Sequence, residues 1–265
     1  MNLDRLRANI RVVGYAFVMT LKQNVIDGFI IFTILIQPLI IALLALWMMD
    51  DQAASHAIFI VVGSGLTGLW SSLLFISGNS INVERWIGTL EFMVAMPTSI
   101  TTIIFGKNLA HVSQSLISML LSYFLASIIF DLPLTIARPG LFLLSLLLTI
   151  VAFVSFGLII APIFVMNPGV QGWQNAMEFP VYILSGFLFP IALLPGWTTP
   201  VSYVLAPYWA AKALHGASSG ESSPDSILID LGILIMFSTV YILISRRLFK
   251  AMLHKTRVDA TLGLQ

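Results

Sequence analysis

The chain has 265 residues, of which 58% are hydrophobic and only 9% are charged, and its mean hydropathy is +0.96. Soluble domains carry about 25% charged residues, so this composition excludes an ordinary water-soluble enzyme. The net charge of +1 excludes a basic nucleic-acid binder, and the lack of cysteine excludes disulfides and thiolate metal sites. The sequence therefore predicts an all-α polytopic membrane protein that forms a single domain over residues 1–265.

Six apolar runs are long enough to cross the hydrocarbon core of a bilayer, which needs about 20 helical residues. They cover residues 28–49, 56–78, 102–130, 140–165, 172–194 and 226–245. The first run is too long for the apolar part of a cleaved signal, and no small-residue cleavage site follows it. We therefore predict six transmembrane helices.

The basic residues predict the orientation of these helices. If both termini are cytoplasmic, the inner segments hold most of the 13 basic residues, as the positive-inside rule requires. Those inner residues are Arg5, Arg7, Arg11, Lys22, Arg85, Lys107, Arg246, Arg247, Lys250, Lys255 and Arg257. Only Arg138 and Lys212 are then outside. This pattern predicts a multi-pass protein of the cell membrane, with the N-terminus and the tail 246–265 inside.

Two further segments are neither spans nor simple loops. Residues 1–27 carry an apolar stripe at helical spacing: Leu3, Leu6, Ile10, Val13, Phe17 and Leu21. This pattern is typical of a helix in the membrane interface, although a positive-inside anchor or a helix docked on a partner would show the same stripe. Residues 195–217 are apolar and contain Pro200 and Pro207. Because a crossing there would place the basic tail outside, we predict a re-entrant hairpin on the outer face.

The loop between the second and third runs is predicted to contain an amphipathic helix over residues 82–97, whose length Pro97 limits. Its two faces are formed by Trp86, Leu90 and Met93 and, nearly opposite, by Glu84, Gly88 and Glu91. Such a helix can pack its apolar side and present its charges to a soluble partner. A surface helix that rests on the membrane is the alternative.

Two motifs resemble those of ABC-2 type transporter permeases. The segment Asn82-Val-Glu-Arg-Trp-Ile-Gly-Thr-Leu-Glu-Phe-Met-Val-Ala-Met-Pro97 is similar to the cytoplasmic loop of that family, which shows Glu-Arg, then Gly-Thr-Leu-Glu, then Pro. The segment Phe179-Pro-Val-Tyr-Ile-Leu-Ser-Gly-Phe-Leu-Phe-Pro190, followed by Leu194-Pro-Gly-Trp197 and Ala206-Pro207, is similar to the family's fifth helix and outer segment. The resemblance implies six helices with an N-terminal interfacial helix, a cytoplasmic coupling helix and outer re-entrant helices, as in type V exporters.

The same resemblance implies the membrane-spanning permease subunit of an ATP-driven exporter. Its substrate would be hydrophobic or amphipathic: a drug, an antibiotic, a lipid or a lipid-linked glycan. The chain has no Walker A motif, so it is not itself expected to be an enzyme or to bind a cofactor. ATP and Mg would be bound by two separate ATPase subunits. A second permease copy or paralogue would complete the path, and the residues expected to couple to the ATPases are Glu84, Arg85, Trp86, Gly88, Thr89, Leu90, Glu91, Met93 and Pro97.

A second set of residues is expected to line the translocation path or a dimer interface: Phe59, Gly63, Leu66, Trp70, Glu178, Ser185, Gly186, Phe187 and Pro190. The glycines of the second helix would serve ordinary packing within one subunit equally well. Glu178 could line the path, bond across a subunit interface or keep its head in the cytoplasmic interface. Asp230, one turn into the last helix, is expected to be hydrated.

The rival class is an ion-coupled secondary transporter or channel that has no ATPase partner. Such a protein normally places several ionisable or polar ligands within its spans, whereas Glu178 stands nearly alone in this sequence. An intramembrane enzyme would need a nucleophile–base pair or a metal set. The four histidines are scattered without ligand spacing.

Overall fold

The structure is a computed structural model that describes residues 3–49, 53–96, 98–131, 135–167, 169 and 172–258. The regular secondary structure in these ranges is entirely helical. Five helices in the described part of the chain are long and apolar enough to cross a membrane. These features agree with the predicted all-α polytopic membrane protein.

Ten helices follow one another along the described chain. The helix α1 covers Leu3–Asn24, α2 runs through Gly28–Ile31, the π-helical turn Phe32–Ile36 and Gln37–Met49, and α3 runs through Ala53–Ser71, the π-helical turn Ser72–Ser77 and Gly78–Ile87. The others are α4 (Leu90–Ala95), α5 (Ile100–Phe130), α6 (Pro139–Met166), α7 (Trp173–Leu184), α8 (Thr199–Val204), α9 (Ala206–Ser219) and α10 (Pro224–Val258). Two short 3₁₀ turns, Ile191–Leu193 and Gly196–Thr198, lie between α7 and α8.

The helix α3 is at the centre of the bundle. In its most apolar stretch 83% of the residues are buried, against 28% in α2 and in α10. Glycines permit this burial, since a Cβ on Gly63 would lie 1.9 Å from the Phe187 carbonyl oxygen and one on Gly68 would lie 2.5 Å from Pro38 Cγ. These contacts are all within one chain. The structure therefore assigns the two glycines to packing inside the subunit.

The fifth predicted span is a much shorter helix than the expected 172–194. The helix α7 ends at Leu184 because Gly186 adopts a left-handed conformation with φ +68°. The Gly186 N–H donates to the Ile183 carbonyl and the Phe187 N–H donates to the Tyr182 carbonyl, both at 3.2 Å, which is the Schellman pattern of helix termination. Twelve residues extend about 18 Å, less than the roughly 30 Å of the bilayer core. The prediction of one continuous spanning helix here is wrong.

The outer segment 195–217 is folded into short helices, none of which is a candidate span among the described residues. The helix α9 packs against α3, α6 and α10. Its backbone is therefore covered by protein, which is the condition that irregular structure at membrane depth has to meet. The re-entrant placement of this segment stays a prediction.

The N-terminal helix α1 packs along α5. A Cβ on Gly106 of α5 would lie 2.7 Å from the Val13 carbonyl oxygen, and Asn24 Nδ2 donates to Gln114 Oε1 at 2.5 Å. Within the predicted stripe Val13, Phe17 and Leu21 are half-buried, whereas Ile10 is 63% exposed. The side chains of Leu3 and Leu6 lie outside the described residues. The exposed face carries Arg7, Arg11 and Lys22.

Replacing Gly63 tests the central position of α3. We expect Gly63→Ala to lower the free energy of unfolding by about 1–3 kcal/mol or more, because the added Cβ would clash with the carbonyl oxygen of Phe187. The matched control is Gly232→Ala on the exposed face of α10, where nothing lies within 4 Å of the added Cβ. The control should leave stability unchanged or raise it by up to about 1 kcal/mol. Equal melting temperatures of the two variants in detergent would contradict the close approach of α3 to Phe187.

Candidate functional site

The C-terminal end of helix α3 has the same Schellman pattern of helix termination as the end of α7. Gly88 has φ +80°, its N–H donates to the Arg85 carbonyl at 3.1 Å, and the Thr89 N–H donates to the Glu84 carbonyl at 2.9 Å. The chain then turns and begins α4 at Leu90. The predicted single helix over residues 82–97 is therefore wrong, since the left-handed Gly88 divides it into two helices. Pro97 lies outside the described residues.

Glu84 points into the protein and not toward a partner, contrary to the predicted helix face. Its carboxylate accepts hydrogen bonds from the Thr89 hydroxyl and from the ammonium of Lys107 on α5. The Glu84 and Lys107 side chains are only 12% and 13% exposed. A nearly buried charge pair of this kind depends on both partners, because either charge alone would be left without compensation. The pair ties the end of α3 to the start of α5.

The short helix α4 is held by an apolar cluster beneath it. Leu90 and Met93 are 2% and 7% exposed, as the amphipathic pattern predicts. They pack with residues from four other parts of the chain, namely Ile81, Ile100, Ile104, Leu158, Ala161, Val165, Phe249 and Met252. The cluster joins α4 to α3, α5, α6 and α10.

The outward side of this region is apolar. Trp86 is 77% exposed and Phe92 is 70% exposed, although the sequence pattern places Trp86 on the packed face. Ile87, Met96 and Glu91 are exposed beside them. We call these five residues the α3–α4 surface. Exposed aromatic and aliphatic side chains of this kind are typical of a site that contacts another protein or the membrane.

Glu178 is buried between α3 and α7. Its Oε1 atom accepts hydrogen bonds from the Ser71 hydroxyl and the Tyr182 hydroxyl, each at 2.6 Å. The residue is 5% exposed, so its carboxylate is enclosed by the protein. Neither of the two salt bridges found among the described residues includes Glu178. The hydrogen-bond partners of the Glu178 carboxylate are therefore two hydroxyl groups and not a basic side chain.

Most of the residues expected at the path or the dimer interface are core residues of one subunit in this structure. Those that are buried are Gly63, Leu66, Trp70, Glu178, Ser185, Gly186 and Phe187. Phe59 is half-buried and Pro190 is exposed. The glycine of the Ser-Gly pair serves as the helix terminator described above, a role that the Leu-Ser-Gly-Phe sequence itself indicates.

A second charged pair joins α9 to α10. Lys212 Nζ lies 2.8 Å from Asp230 Oδ1, and Asp230 is 2% exposed. The expectation that Asp230 is hydrated is therefore wrong. Pairing explains the difference, because a carboxylate can be buried where a cation compensates it.

The Glu84–Lys107 pair is tested by removing one partner at a time. We expect Lys107→Met to lower the free energy of unfolding by roughly 1–3 kcal/mol, because Glu84 would remain nearly buried without its cation. Adding Glu84→Gln to this variant should restore part of the loss. Glu91→Gln is the matched control on the exposed side and should change stability by less than about 0.5 kcal/mol. Strictly additive losses in thermal melts of the single and double variants would contradict the coupling.

Comparison with known proteins identifies the family. Residues 13–217 match the family of ABC-2 type transporters, which is more than half of the chain. A stretch of 150 residues is 25% identical to ABC transporter G family member 20 of Dictyostelium discoideum, covering 57% of this chain and 19% of that protein. The chain thus spans about a fifth of that relative. The family match, which runs from the second half of α1 into α9 and includes the α3–α4 surface, shows that the chain belongs to the ABC-2 type transporter family.

Proposed function

We propose that this ABC transporter membrane subunit exports a hydrophobic or amphipathic substrate and is driven by two separate ATPase subunits. ATP and Mg would bind to those subunits, and a second copy or a paralogue of this chain would complete the path. The direction of transport, the substrate class and the assembly with other subunits are inferred from the motifs and the family of this chain. The α3–α4 surface is the observation that supports the proposal most directly.

The α3–α4 surface suits a docking site for a soluble protein. Its exposed aromatic side chains, Trp86 and Phe92, are of the type that dominates binding energy at protein interfaces. Glu91 adds a charge beside them. A surface that only rested on lipid would have no need of an internally fixed loop, whereas this loop is held by Gly88, Thr89 and Glu84.

The attachment of this surface allows a displacement to reach the spans. Leu90 and Met93 are buried in the cluster that includes α5, α6 and α10, and Lys107 holds the end of α3. A displacement of α4 would therefore be transmitted to these helix ends, because α4 is packed against them and not joined to them by a flexible loop alone. ATP-driven movement of the ATPases would in this way shift the bundle between two states of access.

The surface has to lie in the cytoplasm for this mechanism. Arg85 and Lys107 flank it, and the basic end of α10 packs into the same cluster through Phe249 and Met252. The positive-inside rule places such basic residues in the cytoplasm. Both termini would then be inside, in the plasma or inner membrane of the cell.

Partner binding tests the proposal first. We expect a mild-detergent pull-down of the chain from its own cells to retain a stoichiometric protein with a Walker A motif. Trp86→Ala with Phe92→Ala should weaken that association about 30-fold or more, because two exposed anchors are lost. Trp197→Ala is the matched control, since Trp197 is 76% exposed at the other end of the bundle, and it should bind normally. Intact-mass analysis gives the stoichiometry.

A homo-oligomer without a nucleotide-binding partner, found in nanodiscs as well, would contradict the exporter. It would favour the ion-coupled transporter or channel. Equal weakening by Trp197→Ala would show that the α3–α4 surface is not the docking site.

Cysteine labelling tests the orientation, because the chain contains no cysteine of its own. In intact cells, Ser219→Cys should react with a membrane-impermeant maleimide. Glu91→Cys should react only after the membrane is opened. Both residues are exposed, so a difference in labelling reports the side of the membrane. The reverse pattern would overturn the orientation.

A further inference from the structure

The exposed face of α10 changes from apolar to basic along its length. Spacings of four and three residues place five exposed side chains in one stripe of this helix, namely Met236, Val240, Leu243, Arg247 and Lys250. The three apolar members are 55%, 43% and 56% exposed. In a helix that spans a membrane, an exposed apolar face contacts the lipid chains. The basic members therefore continue a surface that contacts lipid.

The length of α10 places this change at the edge of the bilayer. Residues 224–245 extend about 33 Å, close to the roughly 30 Å of the hydrocarbon core. The exposed basic residues that follow at the level of the headgroups are Arg246, Arg247 and Lys250, which we call the α10 basic face. Phe249 and Met252, on the other side of the same turns, are buried in the cluster beneath α4. This packing keeps the basic side of the helix turned outward.

The α10 basic face has no carboxylate partner in the described part of the chain. The last acidic residue of α10 is Asp230, near the start of the helix. The two salt bridges found among the described residues are formed by Lys107 and Lys212. Lys255 lies further along α10 and differs, because its Nζ lies 3.3 Å from the Met166 carbonyl oxygen. The α10 basic face therefore offers its positive charge to an external anion.

We propose that the α10 basic face binds the phosphate groups of anionic phospholipids, whose acyl chains lie along Val240 and Leu243. The occupant is a lipid because one continuous stripe presents an apolar part and then a basic part, as a lipid chain and its phosphate require. An acidic protein surface would match only the charges. A basic cluster directly beside a spanning helix is typical of a site for anionic lipids. The site lies outside the α3–α4 surface and does not depend on an ATPase.

The test measures which lipid lies beside α10. Val240→Cys introduces a single cysteine into a chain that has none, and a fluorophore attached there is about 10 Å along the helix from Arg247. The full chain is placed in nanodiscs of phosphatidylcholine and phosphatidylglycerol, with bromine on the acyl chains of one lipid or the other. Bromine quenches fluorescence only at short range, so the ratio of the two quenching efficiencies reports the local enrichment. We expect phosphatidylglycerol to be enriched about fivefold or more, the factor for one basic residue near the surface.

Variants of the labelled chain decide whether the α10 basic face causes the enrichment. Lys250→Gln should lower it about twofold or more, and Arg247→Gln with Lys250→Gln should lower it further, because cations beside the phosphates are lost. The matched control is Lys255→Gln, which removes the same charge from the same helix where the ammonium lies against the Met166 carbonyl. It should leave the enrichment unchanged. All variants should melt alike in phosphatidylcholine alone, since the altered side chains are exposed.

Two kinds of result would overturn the proposal. Equal quenching by the two lipids in the labelled chain would show that no anionic lipid is preferred, and the α10 basic face would then be left to an acidic protein surface. An enrichment that the double variant retains in full, or that Lys255→Gln lowers as much as Lys250→Gln, would show that the α10 basic face is not its cause. Because the nanodiscs contain no nucleotide and no ATPase, none of these results bears on the proposed exporter.

Discussion

The close approach of Gly63 on α3 to the Phe187 carbonyl is the contact on which the arrangement of this subunit depends. A Cβ at that position would lie only 1.9 Å from the oxygen, so the helix and the turn after α7 meet backbone to backbone. This approach brings α7 beside α3, where Glu178 finds the hydroxyls of Ser71 and Tyr182. The same Phe187 carbonyl oxygen lies 3.1 Å from Nε2 of His215 on α9.

Two glycines in the left-handed conformation each terminate a helix, one at each end of the bundle. Gly88 and Gly186 terminate helices with the same pair of backbone hydrogen bonds. In each case the chain leaves the helix axis, because a left-handed residue cannot continue a right-handed helix. At one end the chain then enters α4, which buries Leu90 and Met93 and leaves Phe92 exposed. At the other end it brings the Phe187 carbonyl to His215 of α9.

Three buried or nearly buried carboxylates are compensated in two ways in the described chain. Glu84 has Lys107, Asp230 has Lys212, and Glu178 has two hydroxyl donors. A charge in a low-dielectric interior is costly unless it is paired or hydrogen-bonded. The two lysine pairs and the Ser71–Glu178 hydrogen bond each join two different helices, so the need for compensation also fixes which helices are neighbours.

The sequence by itself determined the class, the apolar runs and the family, because hydropathy, charge bias and short motifs are local properties of the chain. It also indicated the packing of Leu90 and Met93 from their spacing. Only the tertiary structure decided that Glu84 faces inward, since its partner Lys107 lies on another helix. The Ser-Gly-Phe sequence indicates that α7 ends at Leu184. The continuous apolar run through this segment nevertheless predicted a longer helix. The partners of Gly63, Asp230 and His215 came from contacts between distant segments, which no local pattern encodes.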